Sequence, residues 1–377
     1  QILLAVARSA RLLVGNTDQV PNLTYATGLF VPDSFAWFQT PQGKTHLLLS
    51  PLEIDRARRQ ATVDHCHDLS AEEKRFPKKK PEYATILASL LRRHGIRSAQ
   101  VPADFPLRLA RSLTHAGLTL HPIAEPFFPS RIKKTPLEIA HITQSIRAAE
   151  AGLARAVEVL QASKIQKNKT LFWSNSPLTS ERLRIEMEVA CLRHGALARD
   201  TIVAGGNQAC DPHERGHGPL RAHQAIILDI FPRSGKTGFF GDITRTVVKG
   251  RAPEPLQQLR DTVMRGQRRV LQQTRALANG DKIQTELRTW FQNQGYPTEM
   301  RKGRWTGFFH GVGHGLGLEI HEAPRYATPS LPLGTVVTVE PGLYVPGIGG
   351  VRIEDVVLVR PGAPKKLTRF PNVWEIR

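Results

Sequence analysis

Four carboxylates stand in or against β-branched runs of this chain. Asp229 interrupts Ala225-Ile-Ile-Leu-Asp-Ile-Phe231, and Asp242 opens Asp-Ile-Thr-Arg-Thr-Val-Val248. Glu340 closes Thr335-Val-Val-Thr-Val-Glu340, and Glu354 lies inside the run Val351 to Val359. Strands this apolar are buried on at least one face. A carboxylate there loses hydration worth several kcal/mol unless something positive compensates. One such acid reads as an outward-facing residue or a local ion pair; four make that reading uncomfortable. If they converge, their repulsion forces protonation unless cations intervene, and two dications would cancel four negative charges. Period-two alternation leaves open which of them face inward.

Histidines supply the other half. Phe308 to Glu322 reads Phe-Phe-His-Gly-Val-Gly-His-Gly-Leu-Gly-Leu-Glu-Ile-His-Glu, with His310, His314 and His321 among Gly311, Gly313, Gly315 and Gly317. Those glycines allow close backbone approach and unusual dihedrals, and they argue against a helical His-x-x-x-His pair. The spacing is neither a dinucleotide loop nor His-Glu-x-x-His, because the position after Ala-Pro is Arg325. Carboxylates with an imidazole suit Mn, Co, Fe or Zn better than Cu(I), Ca or Mg. Two such ions sharing carboxylates activate water for hydrolysis.

The elements that would position these groups follow from periodicity and punctuation. Ser34 to Gln39 and Thr45 to Ser50 flank Pro41-Gln42-Gly43-Lys44 as a hairpin, and helices are expected over Pro51 to Ala61, Tyr83 to His94 and Pro106 to Ala116. This is a mixed α/β domain of about 125 residues. Pro122, Pro126 and Pro129 read as a linker. Thr135-Pro136-Leu137-Glu138 then gives a capping box and a proline at the first helical position. That helix should run to about Ala162, with Leu137, Ile139, Ile142, Ile146, Ala149 and Leu153 as its apolar stripe. Further helices are expected over Ser180 to His194, Pro255 to Ala278 and Thr285 to Asn293. Strands are expected over Ala225 to Phe231, Ile243 to Val248, Thr335 to Val339 and Val351 to Val359. Helix pairs thus alternate with strands twice, which hints at two similarly built halves without a clean repeat.

Composition bounds the remainder. The 377 residues suffice for two domains, and 40% hydrophobic with 23% charged residues is a globular profile. No stretch approaches the ~20 apolar residues of a membrane span. The run Ile2 to Ala7 is short for a signal-peptide core; the chain begins at Gln1, so a leader removed upstream stays open. Cys66, Cys191 and Cys210 are odd in number and far apart, which indicates neither a disulfide framework nor a thiolate zinc site, and a reducing cytoplasm is the simplest setting. The formal charge of +19 is densest at Lys74, Arg75, Lys78, Lys79 and Lys80, and again at Arg301, Lys302 and Arg304. No nucleic-acid motif accompanies it, so a solvated basic surface is expected rather than phosphate binding.

Taken together, these segments resemble the pita-bread metallopeptidases of the M24 family, the prolidase and aminopeptidase P group. The match lies in the motifs around Asp229 and Asp242, in Gly313-His-Gly-Leu-Gly-Leu-Glu-Ile-His-Glu322, in Glu340-Pro-Gly-Leu-Tyr344 and in Val351-Arg-Ile-Glu-Asp355. Asn22-Leu-Thr-Tyr-Ala-Thr-Gly28 and Ser50-Pro-Leu-Glu-Ile-Asp-Arg56 are similar to the family's amino-terminal domain. The resemblance implies an α/β creatinase/prolidase-type domain over 1–125 and an α+β pita-bread catalytic domain over 126–377. It implies two divalent ions, Mn first with Co, Zn or Fe as alternatives, held by Asp229, Asp242, His314, Glu340 and Glu354. Asp242 and Glu354 would bridge them, and Thr244 would steady a ligand carboxylate. Glu340 would also be the general acid/base, with His213, His310 and His321 as further catalytic residues. Arg325 matches an arginine that binds the free carboxylate of a dipeptide in some prolidases. The turn from Asp229 to Asp242 is slightly longer than the family's, which places the extra residues near Ser234-Gly-Lys-Thr-Gly238 at an exposed tip. Cys210, beside Asp211, reads as a packed residue rather than a nucleophile.

The implied activity is hydrolysis of Xaa-Pro bonds, with a dipeptidase favoured over an aminopeptidase P acting on longer peptides. A creatinase-like enzyme without metal and a catalytically silent binding module are the other classes, and the intact ligand set argues against both. The expected partners are Xaa-Pro peptides and a second copy of the chain as a homodimer, with no nucleic acid and no membrane.

Overall fold

The computed structural model describes residues 9–76 and 81–377. Ile2 to Ala7 and the lysines at 78–80 lie outside the described residues. The chain divides into two compact units, Gln1–Pro129 and Ser130–Arg377.

The amino-terminal unit is built on a six-stranded mixed sheet. Its elements are β1 (Ala10–Gly15), α1 (Pro21–Thr27), β2 (Phe35–Gln39), β3 (Thr45–Leu49), α2 (Pro51–Gln60), β4 (His65–Asp68), α3 (Leu69–Glu73), α4 (Tyr83–Arg93), β5 (Ser98–Pro102), α5 (Leu107–His115) and β6 (Thr119–Ile123). The strand order is β4-β3-β2-β1-β5-β6. The expected hairpin is β2 against β3, with Phe38 opposite His46. Alternation divides the sheet into two buried faces. Leu13, Trp37, Leu47 and Leu49 pack with Ile54 and Ala57 of α2 on one side. Leu12, Phe38 and Leu48 pack with Leu87, Leu90 and Leu91 of α4 on the other. The proline-rich segment is no free linker. Pro122 sits in β6, an edge strand, where a missing N–H is tolerated. Phe127 and Phe128 are buried against the Leu13–Trp37 face, so this unit ends at Pro129 rather than at 125.

The second unit opens with α6 (Pro136–Ala162), which carries the expected capping box from Thr135 and Glu138. Leu137 is the exception to its stripe: the second residue of the helix, it is 65% exposed. The chain continues with α7 (Ser180–Arg193), β7 (Ile202–Gly205), β8 (Ile226–Ile230), β9 (Ile243–Lys249), α8 (Glu254–Gln273) and α9 (Gly280–Asn293). Helix α8 stops before the expected Ala278, and α9 starts early because Asn279 caps it through the Lys282 N–H. After these come β10 (Val336–Val339), β11 (Gly342–Val345), β12 (Gly349–Arg352), β13 (Asp355–Leu358), β14 (Lys365–Lys366) and β15 (Glu375–Ile376).

Two cores reflect the two halves. Ala149, Leu153 and Ala156 of α6 and Leu183 and Met187 of α7 cover β8 and β9. Leu259 and Val263 of α8 and Leu287 and Phe291 of α9 cover β10, β12 and β13. Gly152 marks a close approach in the first: a Cβ there would stand 2.7 Å from Ile230 Cδ1. None of the described helices is long and apolar enough to cross a membrane. Cys66, Cys191 and Cys210 are free thiols.

Candidate metal centre and its cavity

Each of the four acids is delivered by a strand or a strand end of the second unit. Asp229 lies in β8, with Thr244 of β9 as its register partner, and Asp242 immediately precedes β9. Glu340 immediately follows β10. The run expected as one strand over Val351 to Val359 is two: β12 pairs with β11, β13 pairs with β10, and Ile353-Glu354 forms the break. The Glu354 N–H leaves its own ladder to donate to the Thr244 carbonyl at 3.1 Å. That step between two sheets aims its carboxylate at β9.

The His314 loop is irregular, as its glycines require. Their role is close approach, for none of Gly311, Gly313, Gly315 and Gly317 adopts a positive φ. A Cβ on Gly313 would stand 2.1 Å from the Thr338 carbonyl oxygen, and one on Gly317 would strike the Glu322 carboxylate. The loop is thereby zipped to β10: Thr338 N–H donates to His314 O at 2.8 Å, and Glu340 N–H to Val312 O at 2.8 Å. From the other side, the Glu322 carboxylate, on a side chain 6% exposed, accepts from Arg131 at 2.6 Å and Lys134 at 2.5 Å.

The nine residues singled out from sequence all line one cavity of about 960 Å³. Deepest are Asp242, His314 and Glu354, whose ligand atoms lie within 4.8 Å of one another. His314 Nε2 stands 3.3 Å from Glu340 Oε1 and 3.8 Å from Asp242 Oδ2. Thr244 donates to Glu354 Oε2 at 2.8 Å. His213, His321 and Arg325 are exposed at the rim, and His310 is half-buried between rim and floor. The insert near Ser234 is exposed only at Gly235 and Lys236, because Ser234 and Gly238 are buried beneath them.

Burial and mutual repulsion dominate the electrostatics. Desolvation, then Glu354, Asp229 and Glu340, raise the Asp242 carboxyl well above its ordinary value. Desolvation and Glu354 do the same to Glu340. Glu354 is pushed up to about 8 by burial and by Asp229. The imidazoles move the other way: burial with Arg352 lowers His310 to about 3, and burial with His321 lowers His314 to about 3. Protein cations alone do not balance this cluster, since a group so placed holds its proton. The donor set, buried carboxylates around a neutral imidazole nitrogen, fits a pair of hard-to-borderline dications.

Sequence reasoning missed three contributors. Arg352 donates to Asp229 Oδ2 at 2.6 Å and to the Tyr344 hydroxyl at 3.0 Å. Tyr344 also meets His310 Nε2 at 2.8 Å. Arg245 binds the Glu354 carbonyl and Asp355 Oδ1 beneath the floor. Each lies within a motif already singled out, and a guanidinium inside so apolar a strand was the available signal.

A sequence model of Metallopeptidase family M24 matches residues 140–361. The Xaa-Pro dipeptidase of Pyrococcus furiosus is 30% identical over 252 residues, 63% of this chain and 64% of that one, so the match spans just under two thirds of that relative. The Xaa-Pro dipeptidase of Pyrococcus horikoshii is 26% identical over 322 residues, 80% of this chain and 81% of that one. Among solved structures, an X-Pro aminopeptidase from Thermotoga maritima superposes with a TM-score of 0.81 at 22% identity, covering 98% of this chain and 97% of its own. The prolidase from Pyrococcus furiosus gives 0.79 at 22% identity, covering 98% of both chains. The fold is therefore that of these enzymes along nearly the whole chain, an α/β amino-terminal unit followed by a pita-bread unit. With the matched segment running from within α6 to just beyond β13 and enclosing every acid of the cavity, the chain belongs to metallopeptidase family M24.

Proposed function

We propose that this chain is a dinuclear-metal Xaa-Pro dipeptidase. The observation that carries the reading is the convergence of Asp229, Asp242, Glu340, Glu354 and His314 beneath a rim formed by His213, His321 and Arg325. Those five residues would hold two divalent ions, manganese before cobalt, zinc or iron given the oxygen-rich donor set. When bound, the ions supply Lewis acidity toward the scissile carbonyl and a lowered pKa for the attacking water.

The chain's own groups do the rest. Glu340, at the edge of the cluster, accepts the proton of the attacking water and hands it to the leaving proline nitrogen. His310 is held by the Tyr344 hydroxyl, which is itself fixed by Arg352. With Nδ1 also against the Gly311 carbonyl at 2.8 Å, the neutral imidazole is locked in one orientation in the cavity wall. His321 packs edge-on against His314 with ring centroids 4.3 Å apart, on the substrate side of the cavity. Arg325 at the rim offers a planar fork to a free carboxylate, which sits within reach only when proline ends the peptide.

The test is an assay of the manganese-loaded chain on Xaa-Pro dipeptides and on tripeptides with proline second. Proline release from dipeptides, abolished by a chelator, is the expected result. Much faster cleavage of tripeptides would move the assignment to an aminopeptidase P activity. No hydrolysis of either would leave a binding module.

A further inference from the structure

A second histidine cluster lies in the amino-terminal unit, within a sheet face that the proposed chemistry does not use. Strands β3 and β4 run parallel, with His46 paired to His65 and Leu48 to His67. Alternation puts Leu47 and Cys66 on one face and these histidines on the other. Helix α4 packs on that second face and ends beside it, where His94 is its C-terminal cap. Nitrogens of His46, His67 and His94 all lie within 4.8 Å of one another.

The arrangement is a built one. His46 is only 2% exposed, and its ring lies flat on Phe38, with centroids 4.6 Å apart and planes 2° from parallel. Its Nδ1 stands 3.1 Å from His67 Nε2. That is close to the ~3.3 Å edge of a tetrahedron whose metal–nitrogen bonds are about 2.05 Å. His67 and His94 are half-buried, so the open side of the triad reaches solvent.

The neighbouring charged groups are engaged elsewhere. Asp64 binds Lys44 at 2.9 Å, and Glu72 is held by Arg75 and Arg93. His65 stacks on His46 at 4.7 Å between centroids without joining the triad. Burial, then His94 and the adjacent imidazoles, lowers His46 to about 4. Burial and His94 lower His67 to about 4, and burial with Arg93 lowers His94. All three rings are therefore neutral near pH 7, and a metal ion would replace the proton shared between His46 Nδ1 and His67 Nε2.

We propose that His46, His67 and His94 form a second metal site that takes one zinc-class divalent ion, with its fourth position open to water. Three neutral nitrogens without a carboxylate select Zn²⁺ over Mn²⁺ or Mg²⁺. The ion would add a bond from the paired strands β3 and β4 to the end of α4, which packs on them through Leu48, Leu87 and Leu91.

The test is zinc stoichiometry on the full chain, stripped by chelator, reloaded with ZnCl₂ and desalted. His94→Gln and His67→Gln are the variants, because both positions are half-buried and tolerate a polar side chain. The unaltered chain is expected to retain one more zinc per chain than either variant. A second measurement uses Asp242→Asn/Glu354→Gln, which removes ligands from the cavity: one zinc should remain, and adding His94→Gln should remove it. Equal zinc in the unaltered chain and both variants would overturn the proposal, leaving the triad as packed core histidines. Loss of all zinc in the cavity variant, with its circular dichroism unchanged, would overturn it equally.

Discussion

The molecule gathers histidines in two places, and their company differs. In the cavity of the second unit one deep imidazole, His314, sits among buried carboxylates, with Glu340 Oε1 at 3.3 Å. In the amino-terminal unit three imidazoles meet without a carboxylate among them. The difference teaches how a fold separates two cation chemistries. Carboxylates bring charge that must be neutralised and attract oxygen-preferring dications, whereas neutral nitrogens bring only lone pairs and prefer zinc. The cavity acids come from separate strands: Asp229 lies inside β8, Asp242 precedes β9, Glu340 follows β10 and Glu354 sits at the break between β12 and β13. The triad needs only one parallel strand pair and one helix terminus.

The largest expected effect separates the two sites outright. Glu340→Gln should lower kcat for a Xaa-Pro dipeptide by about 10²–10⁴, the range for loss of a positioned general acid/base. Zinc retained by the triad should be unaffected. Retention of near-full activity in steady-state kinetics would remove Glu340 from the mechanism. Next in size is Arg352→Met. It deletes the guanidinium that binds Asp229 in the cavity floor. Breaking a buried pair costs about 3–5 kcal/mol, which urea unfolding of the chelated protein would register. The loss should be smaller with manganese present, because dications then carry the compensation. Equal losses with and without metal would show that Arg352 supports the fold alone.

Arg325→Ala tests the rim. A charge-assisted hydrogen bond contributes about 1.5–3 kcal/mol, so KM for dipeptides should rise roughly 10–100-fold. Tripeptides, whose carboxylate lies one residue further out, should be cleaved as before. An unchanged KM for dipeptides would detach Arg325 from substrate length.

How much of this was legible in sequence depends on what each residue needed from distant partners. The α6 cap was readable because Thr135, Pro136 and Glu138 are local to one another. The acids were readable because a charge inside an apolar strand is anomalous wherever the strand goes. The break at Ile353-Glu354 was not, since β-branched residues run through it and only the competing pairings with β10 and β11 divide it. The glycines were read half correctly. The close approach expected of them is met, by Gly313 against Thr338 of β10, whereas none takes the left-handed backbone that unusual dihedrals would include. The histidine triad was invisible because His46, His67 and His94 are far apart in sequence, and parallel pairing of β3 with β4 is a tertiary fact.

The smallest expected effect is the one that sets the two sites against each other most directly. In the chelated chain Glu354 is raised from 4.5 to about 8. Between those values the unfolded chain has released this proton while the folded chain keeps it, so stability falls as pH rises and levels off above about 8. His46 and His67 are lowered from 6.5 to about 4. Here the unfolded chain binds protons that the folded chain refuses, so stability falls as pH drops from 6.5 toward 4. His310 and His314, lowered to about 3, act in that same acid direction. From pH 6.5 to 8 the histidine effect fades and the carboxylate effect of Glu354, joined by Asp242 and Glu340, outweighs it, so the melting temperature of the chelated chain should decline across that interval. Manganese should abolish the decline, because bound dications replace the protons. His67→Gln should leave the alkaline decline intact and soften the acid one. A chelated chain whose stability rises from pH 6.5 to 8 would mean that the buried carboxylates are already ionised without metal, and the electrostatic argument for a dication pair would fall with it.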